Sequence, residues 1–445
     1  MTSFSKKLFH SIDLILDKAD LHKNDLHFVV REGSDFSRKA RKLSFKDTIL
    51  CILSMAAKPM KEELYDFFDY SIDTPSTSAF VQARSKISPS LFQYLFHSLN
   101  QSYPGTKTFK GYHLISVDGS DLHIPIDKND PDTLYHSTSS NKDISFYHIN
   151  AAYDILNNRY IDMILQGIHS KNEAEALWMI AERFHEDAIF IGDRGYPTWN
   201  AMAHIIECNQ HFLMRCKDIH SPSSILRKFH LPDEEFDLDL SITLTTKQSK
   251  DIKKLPEKYR FLSSTSTFDF FPEDDPFYTI SFRAIRFRLD GSEEYESILT
   301  NLSKDDFSAD EIKDLYHKRW GIEVSFRHLK YSADLCAVHA KKRQSIKQEI
   351  WARMILYNLT FIMIHHITEN SKRRTNDKRK HAYSINVTTA IHHCRHYLLM
   401  RKRKGGKPPD LEAYISKELL PVRAKRKSLR NVTTKHVICF NYRFS

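Results

Sequence analysis

No cysteine in this chain stands in paired spacing. The six, at positions 51, 208, 216, 336, 394 and 439, are scattered, which indicates neither a disulfide framework nor a zinc ribbon. Long apolar runs are missing too. The longest, Ile49 to Ala57, is too short to span a bilayer, and the N-terminus lacks the apolar core of a signal peptide, so a soluble cytoplasmic protein with no membrane association is expected. Nor is there an internal repeat. What the chain has in excess is positive charge: 66 Lys and Arg against 56 Asp and Glu in 445 residues give a net charge of +10. The basic residues cluster between Arg31 and Lys46 and between Lys372 and Lys435, a pattern that favours a polyanionic partner, nucleic acid ahead of anionic membrane. With 41% hydrophobic residues the chain can bury substantial cores in two or three domains.

Helical periodicity runs from Phe45 to about Asn100, with cap signals at Thr74-Pro75-Ser76-Thr77 and Ser88-Pro89-Ser90. Residues 1–110 read as a helical DNA-binding domain, with Arg31, Arg38, Lys39, Arg41 and Lys42 placed to grip a DNA backbone. The period then changes. Residues 111–216 alternate strands and helices: an apolar run from His113 to Val117, strands at Ser145 to Ile155 and Tyr160 to Gly167, a helix from Glu173, a buried strand from Ala188 to Gly192, a helix from Trp199 and a strand from His211. That pattern implies a mixed α/β sheet. Residues 217–301 read as a β-rich insertion, 302–370 return to helix behind a cap at Ser308, and 371–445 form a basic helical tail.

Asp118 and Asp193 each follow a short apolar run, where a carboxylate is costly unless it is solvated, hydrogen-bonded or bound to a cation. Taken alone, either reads as a strand-terminating turn. Downstream, Tyr316, Arg319, Glu323 and Lys330 follow the spacing Tyr-x2-Arg-x3-Glu-x6-Lys. On one continuous helix these four side chains fall within an arc of roughly 60°, beside an apolar stripe of Leu315, Ile322, Phe326, Leu329 and Ala333. A surface ion-pair network is the bland reading of that helix. Three carboxylates can instead share two Mg²⁺ ions about 3.5–4 Å apart, the arrangement for in-line phosphoryl transfer.

Val117-Asp118-Gly119-Ser120, Gly192-Asp193-Arg194-Gly195-Tyr196 and the Tyr316, Arg319, Glu323, Lys330 series together resemble the DDE transposases of the bacterial insertion-sequence type 4 family. Thr77-Ser78-Ala79-Phe80 with Gln82-Ala83-Arg84 also looks like that family's N-terminal region. The resemblance implies a ribonuclease-H-like core in which the strands leading to Asp118 and Asp193 are parallel neighbours about 4.8 Å apart. It implies Asp118, Asp193 and Glu323 as catalytic metal ligands for two Mg²⁺ ions, with Mn²⁺ able to substitute, and Tyr316, Arg319 and Lys330 as contacts to DNA phosphates. The activity it implies is cleavage at transposon ends and strand transfer into target DNA. The implied partners are double-stranded DNA, as terminal inverted repeats and target, and a second copy of the chain in a synaptic complex. The implied setting is the cytoplasm of a bacterium, at the nucleoid.

Some relatives stack a flipped base on a tryptophan of the insertion, yet Trp178, Trp199, Trp320 and Trp351 all lie outside residues 217–301. Phe268, Phe270, Phe271, Phe277 and Tyr278 offer aromatic faces there, or core packing. His392, His393, Cys394 and His396 lack a second ligand pair at zinc spacing and read as a solvated or DNA-facing helix. Two other functions fit parts of the pattern: a metal-dependent nuclease without strand transfer, and a non-enzymatic DNA-binding descendant of a transposase. Retention of all three carboxylates weighs against the second.

Overall fold

Short polar side chains mark where the helices begin, because they accept the first backbone N–H groups that no helical carbonyl can reach. The computed structural model describes residues 3–30, 36, 42–138, 141–263, 265–289, 291–372, 382–400 and 409–422. Its helices are α1 (Phe4–Leu21), α2 (Phe45–Ser54), α3 (Met60–Phe67), α4 (Thr77–Arg84), α5 (Pro89–Ser102), α6 (Glu173–Arg183), α7 (Trp199–Glu207), α8 (Lys250–Lys253), α9 (Ala309–His317), α10 (Trp320–Arg327), α11 (Arg343–Lys372), α12 (Val387–Met400) and α13 (Leu411–Lys417). Ser76 caps α4 from the Ala79 amide, Ser88 precedes a proline at the first turn of α5, and Ser308 with Glu311 forms a reciprocal capping box on α9. Each such cap contributes about 1 kcal/mol.

The strands are β1 (His113–Ile124), β2 (Leu134–Ser137), β3 (Lys142–Asp154), β4 (Arg159–Gln166), β5 (Ala188–Gly192), β6 (His211–Cys216), β7 (Phe236–Thr245), β8 (Tyr259–Phe261), β9 (Phe277–Arg288), β10 (Tyr295–Thr300), β11 (Tyr383–Ile385) and β12 (Leu419–Pro421). Helices and strands divide between two compact units, each assembled from separated stretches of chain. One takes in Met1–Gly105, Leu122–Tyr147 and Ser325–Ser445; the other takes in Thr106–Asp121 and His148–Val324.

The second unit is built on a mixed sheet with strand order β3-β1-β5-β6-β10-β9-β7-β8, and β4 pairs with β3. Its centre is parallel, β1 against β5 and β5 against β6, while β10 runs antiparallel to both β6 and β9. The strands of the β-rich segment therefore continue the same sheet. Alternation along the central strands sends side chains to opposite faces. Ala188 and Phe190 of β5 join one buried cluster with Leu177 and Ile180 of α6 and Met202 and Ile205 of α7. Ile189 and Ile191 join another with Ile312, Leu315 and Tyr316 of α9. Both faces of β5 are covered, which is why it reads as an unbroken apolar run.

Two readings of the sequence need correction. Asp118 does not end its strand, because β1 continues through Asp118-Gly119-Ser120 to Ile124. And the residues from Tyr316 to Lys330 are not one helix: α9 stops at His317, α10 restarts at Trp320, and His328–Ser332 is a π-helical turn. The break is tightened by three-residue hydrogen bonds, from the amides of Lys318, Arg319 and Gly321 to the carbonyls of Leu315, Tyr316 and Lys318. In the β-rich segment, Phe268, Phe271 and Tyr278 pack on the core, and the Tyr278 hydroxyl donates to Glu207 over 2.8 Å. Those rings serve packing. Arg31, Arg38, Lys39, Arg41 and most of the basic tail lie outside the described residues.

The first unit is helical, with α11 packed along α5, where Phe96 and Trp351 meet at 5.2 Å between ring centroids. A buried polar network runs through it. Arg84, 2% exposed, donates to Glu349 (2.8 Å), to the Ser345 carbonyl (2.9 Å) and to Gln348 (3.2 Å). Across the same carboxylate, the His339 amide donates to Glu349 over 2.8 Å and the His339 ring approaches Glu349 and Glu63 at 3.4 and 3.7 Å. Burial alone would lower the His339 pKa, but Glu349 and Glu63 outweigh it and hold it at about 9. Burial likewise works to raise Glu349, and Arg84 and His339 overcome it, bringing that carboxyl to about 2.

These shifts set a pH window. The raised His339 pKa contributes stability that is complete below the ordinary value of 6.5 and is lost as pH climbs through about 9. The depressed Glu349 pKa contributes stability that is complete above 4.5 and is lost as pH falls toward 2. The urea midpoint of this helical unit is expected to be highest between those two ordinary values and to decline on the alkaline side. In His339→Gln the alkaline decline should flatten; an unchanged alkaline slope would remove His339 from the network.

Candidate active site

The parallel pairing of β1 and β5 sets the first two carboxylates side by side. Residues pair from His113 with Ala188 through Ser116 with Ile191, so the same register carried two positions further brings Asp118 beside Asp193. Asp118 still lies within β1, and Asp193 is the first residue beyond β5. The turn after Asp193 is closed by the Tyr196 amide donating to the Asp193 carbonyl over 3.1 Å. Tyr196 folds back over Gly192, where a Cβ would meet its ring carbons at 2.9–3.1 Å. Gly192 is therefore glycine for space. The Tyr196 ring is buried, and its hydroxyl has no hydrogen-bond partner among the described residues.

From the α9–α10 connection come the other groups. The Tyr316 hydroxyl donates to Asp193 Oδ1 over 3.4 Å, and Arg319 Nη2 donates to Glu323 Oε1 over 2.9 Å. Arg319 is only 5% exposed, and its Nε–H is buried with no acceptor among the described residues. Despite the break in the helix, Tyr316, Arg319 and Glu323 remain one group and face the two aspartates. Lys330 falls on the π-helical turn, in the first unit.

These groups also bear on one another electrostatically. Burial pushes the Asp118 carboxyl up to about 6; Arg319 and the Gly119 amide oppose the rise, and Glu323 and Glu173 add to it. Burial would lower Arg319, but Tyr316, Asp193, Glu323 and Asp118 hold it above its ordinary range. The Tyr316 and Tyr196 phenols are both pushed up, first by burial and then by nearby carboxylates, with Asp193 bearing on each. Arg319 is thus the cation that the carboxylates face.

Among the described residues no group of three or more His, Cys, Asp and Glu side chains stands close enough to hold one metal ion between them. The Glu323 carboxylate is turned onto Arg319 instead. The donor chemistry nevertheless suits a hard divalent ion: Asp118, Asp193 and Glu323 offer carboxylate oxygens, and Asp118 is raised first by burial and then by the like charge of Glu323 and Glu173, which a cation would offset. Sequence reasoning missed Glu173, His148 and Tyr196. Only Tyr196 carried a signal, as the last residue of the Gly-Asp-Arg-Gly-Tyr run.

The model of the transposase DDE domain family matches residues 109–359, more than half of the chain. The transposase for insertion sequence element IS421 of Escherichia coli is 38% identical over 58 residues, 13% of this chain and 16% of that protein. A protein named as the probable transposase for insertion sequence element IS5377 of Geobacillus stearothermophilus is 22% identical over 191 residues, 42% of this chain and 41% of its own length. The matched stretches thus span less than half of these curated relatives. The cryo-EM structure of a piggyBac transposase synaptic complex with hairpin DNA aligns over 92% of this chain and 86% of that one, at 10% identity and a TM-score of 0.45.

Proposed function

This chain belongs to the transposase DDE domain family, and we propose that it is a DNA transposase of the insertion-sequence type 4 kind, cutting DNA at transposon ends and joining the freed ends to target DNA. The observation that carries the reading is the juxtaposition of Asp118 on β1 with Asp193 just beyond the parallel neighbour β5, facing the Tyr316, Arg319 and Glu323 group. The core is read as ribonuclease-H-like. Asp118, Asp193 and Glu323 are the residues that would hold two Mg²⁺ ions, or Mn²⁺ in their place. When bound, such ions supply an activated oxygen nucleophile and neutralise charge on the leaving oxygen.

The chain's own residues do the rest. Arg319 presents a buried N–H without an acceptor beside the aspartates, a donor suited to a non-bridging phosphate oxygen. Release of Glu323 from Arg319 frees the carboxylate and the guanidinium together, so phosphate entry and closure of the carboxylate set are one event. Tyr316 braces Asp193 through its hydroxyl and lies beside Arg319, whose guanidinium carbon is 5.9 Å from the ring centroid. Lys330 is assigned a phosphate contact on the DNA flank. The helical residues 1–110 and the basic residues 371–445 would grip DNA, and two copies would pair on the two transposon ends.

Incubating the protein with Mg²⁺, labelled DNA carrying its element's terminal repeats and a target plasmid should give cleaved ends and then joined product. Cleavage without joined product would leave a nuclease. Because Lys and Arg contacts to phosphate release counterions, affinity for end DNA should fall roughly a hundredfold between about 50 and 200 mM salt if about four phosphates are neutralised. A flat salt response would count against backbone binding.

A further inference from the structure

Glu173, the first residue of α6, sits where neither aspartate motif points but where both are fixed. Its two carboxylate oxygens face two different glycines. Oε1 lies 2.7 Å from the position a Cβ would take on Gly119, the residue after Asp118, and Oε2 lies 3.2 Å from the corresponding position on Gly195, two residues after Asp193. At Gly119 the His148 ring comes closer still, with Nε2 nearest the Cβ position, so His148 and Glu173 together close the space beside Gly119 while Glu173 alone among the described residues borders Gly195. The carboxylate is itself held. His148 Nε2 stands 3.1 Å from Oε1 and Lys171 Nζ 3.5 Å, while Asp121 takes the other ring nitrogen of His148 at 2.6 Å. The His148 side chain is 2% exposed, and the N-terminal end of a helix favours a negative group at Glu173.

We propose that Glu173 is a positioning residue of the carboxylate site, a wedge between the Asp118 and Asp193 backbones that sets the spacing at which they take up divalent cations. The role rests on the metal-binding reading above. It acts through shape: glutamine keeps the volume, alanine does not. Supporting groups of this kind, when removed, weaken metal affinity by about 10–100-fold.

The test is Mn²⁺ binding to the full chain, read by electron paramagnetic resonance of the free ion, alongside binding of end DNA without metal. Glu173→Ala should bind Mn²⁺ at least about tenfold more weakly, Glu173→Gln should stay near the unaltered protein, and DNA binding should not change in either. Gly195→Ala, which keeps Glu173 and pushes on Oε2, should weaken Mn²⁺ binding on its own and add nothing in the Glu173→Ala background; if Glu173→Ala folds poorly, Gly195→Ala alone decides, and full Mn²⁺ binding in it overturns the wedge. Asp118→Ala is the reference. If it loses Mn²⁺ and Glu173→Ala does not, the positioning role is overturned alone. If Glu173→Gln is as weak as Glu173→Ala, the residue acts by charge and the wedge is overturned. If Asp118→Ala keeps full Mn²⁺ binding, the metal-site reading falls, and the wedge with it.

Discussion

If Asp118, Asp193 and Glu323 hold the metal ions as proposed, Asp118→Ala, Asp193→Ala and Glu323→Gln should each lower DNA cleavage by roughly a thousandfold or more, a loss of several kcal/mol of transition-state stabilisation. Binding of end DNA should persist, because the phosphate contacts assigned to Arg319, Lys330 and the basic segments remain. The same substitutions separate a working carboxylate from a structural one. Asp118 is half-buried, and its partial desolvation raises its pKa to about 6, with Glu323 and Glu173 adding to the rise. A raised carboxyl pKa means that the ionised folded form is disfavoured, a cost that appears as pH passes from the ordinary 3.8 through about 6 and is complete at neutrality. Asp118→Ala without metal should therefore melt no lower than the unaltered protein, and relief of the charge strain is on the order of 1–3 kcal/mol. Lost cleavage with unimpaired stability marks a residue retained for chemistry. A large fall in melting temperature would make Asp118 structural.

The opposite signature is expected at Glu349. Its carboxylate is 2% exposed and lies between Arg84 and His339, so Glu349→Ala strands a buried guanidinium that is itself 2% exposed. Breaking a buried pair in this way costs about 3–5 kcal/mol. Because Arg84 reaches from α4 to α11 through Glu349, Gln348 and the Ser345 carbonyl, the loss should fall on the unfolding of the helical unit as a whole. Equilibrium urea unfolding followed by circular dichroism reads it directly. A change under about 1 kcal/mol would show that the pair is solvated, as exposed ion pairs are. Replacing Arg84 and Glu349 together by apolar residues should cost far less than either single change.

How much of this could be read from the chain depends on how local the cause is. Caps at Ser76, Ser88 and Ser308, the buried run Ala188 to Gly192 and the strand pair around Asn157-Asn158 are local chemistry, and the structure has them where the sequence signals them. Asp118-Gly119-Ser120 misled because Asp-Gly is a turn signal, whereas here Gly119 is small to admit His148 and Glu173 while the strand runs on. The Tyr316 to Lys330 spacing suggested one helix, and an interrupted helix holds Tyr316, Arg319 and Glu323 together all the same. Glu173 could not be found from sequence at all. Its meaning depends on two glycines 76 positions apart, at 119 and 195, that meet only through the β1 and β5 pairing. Arg84 was legible as part of a resemblance, but not as the anchor of a buried network.

The decisive measurement is anomalous diffraction from crystals of the protein with cleaved end DNA and Mn²⁺. Manganese should appear at two positions about 3.5–4 Å apart, ligated by Asp118, Asp193 and Glu323, with Glu323 released from Arg319 and that guanidinium on a phosphate. Manganese bound elsewhere, or held by the aspartates while Glu323 stays paired with Arg319, would contradict a three-carboxylate site.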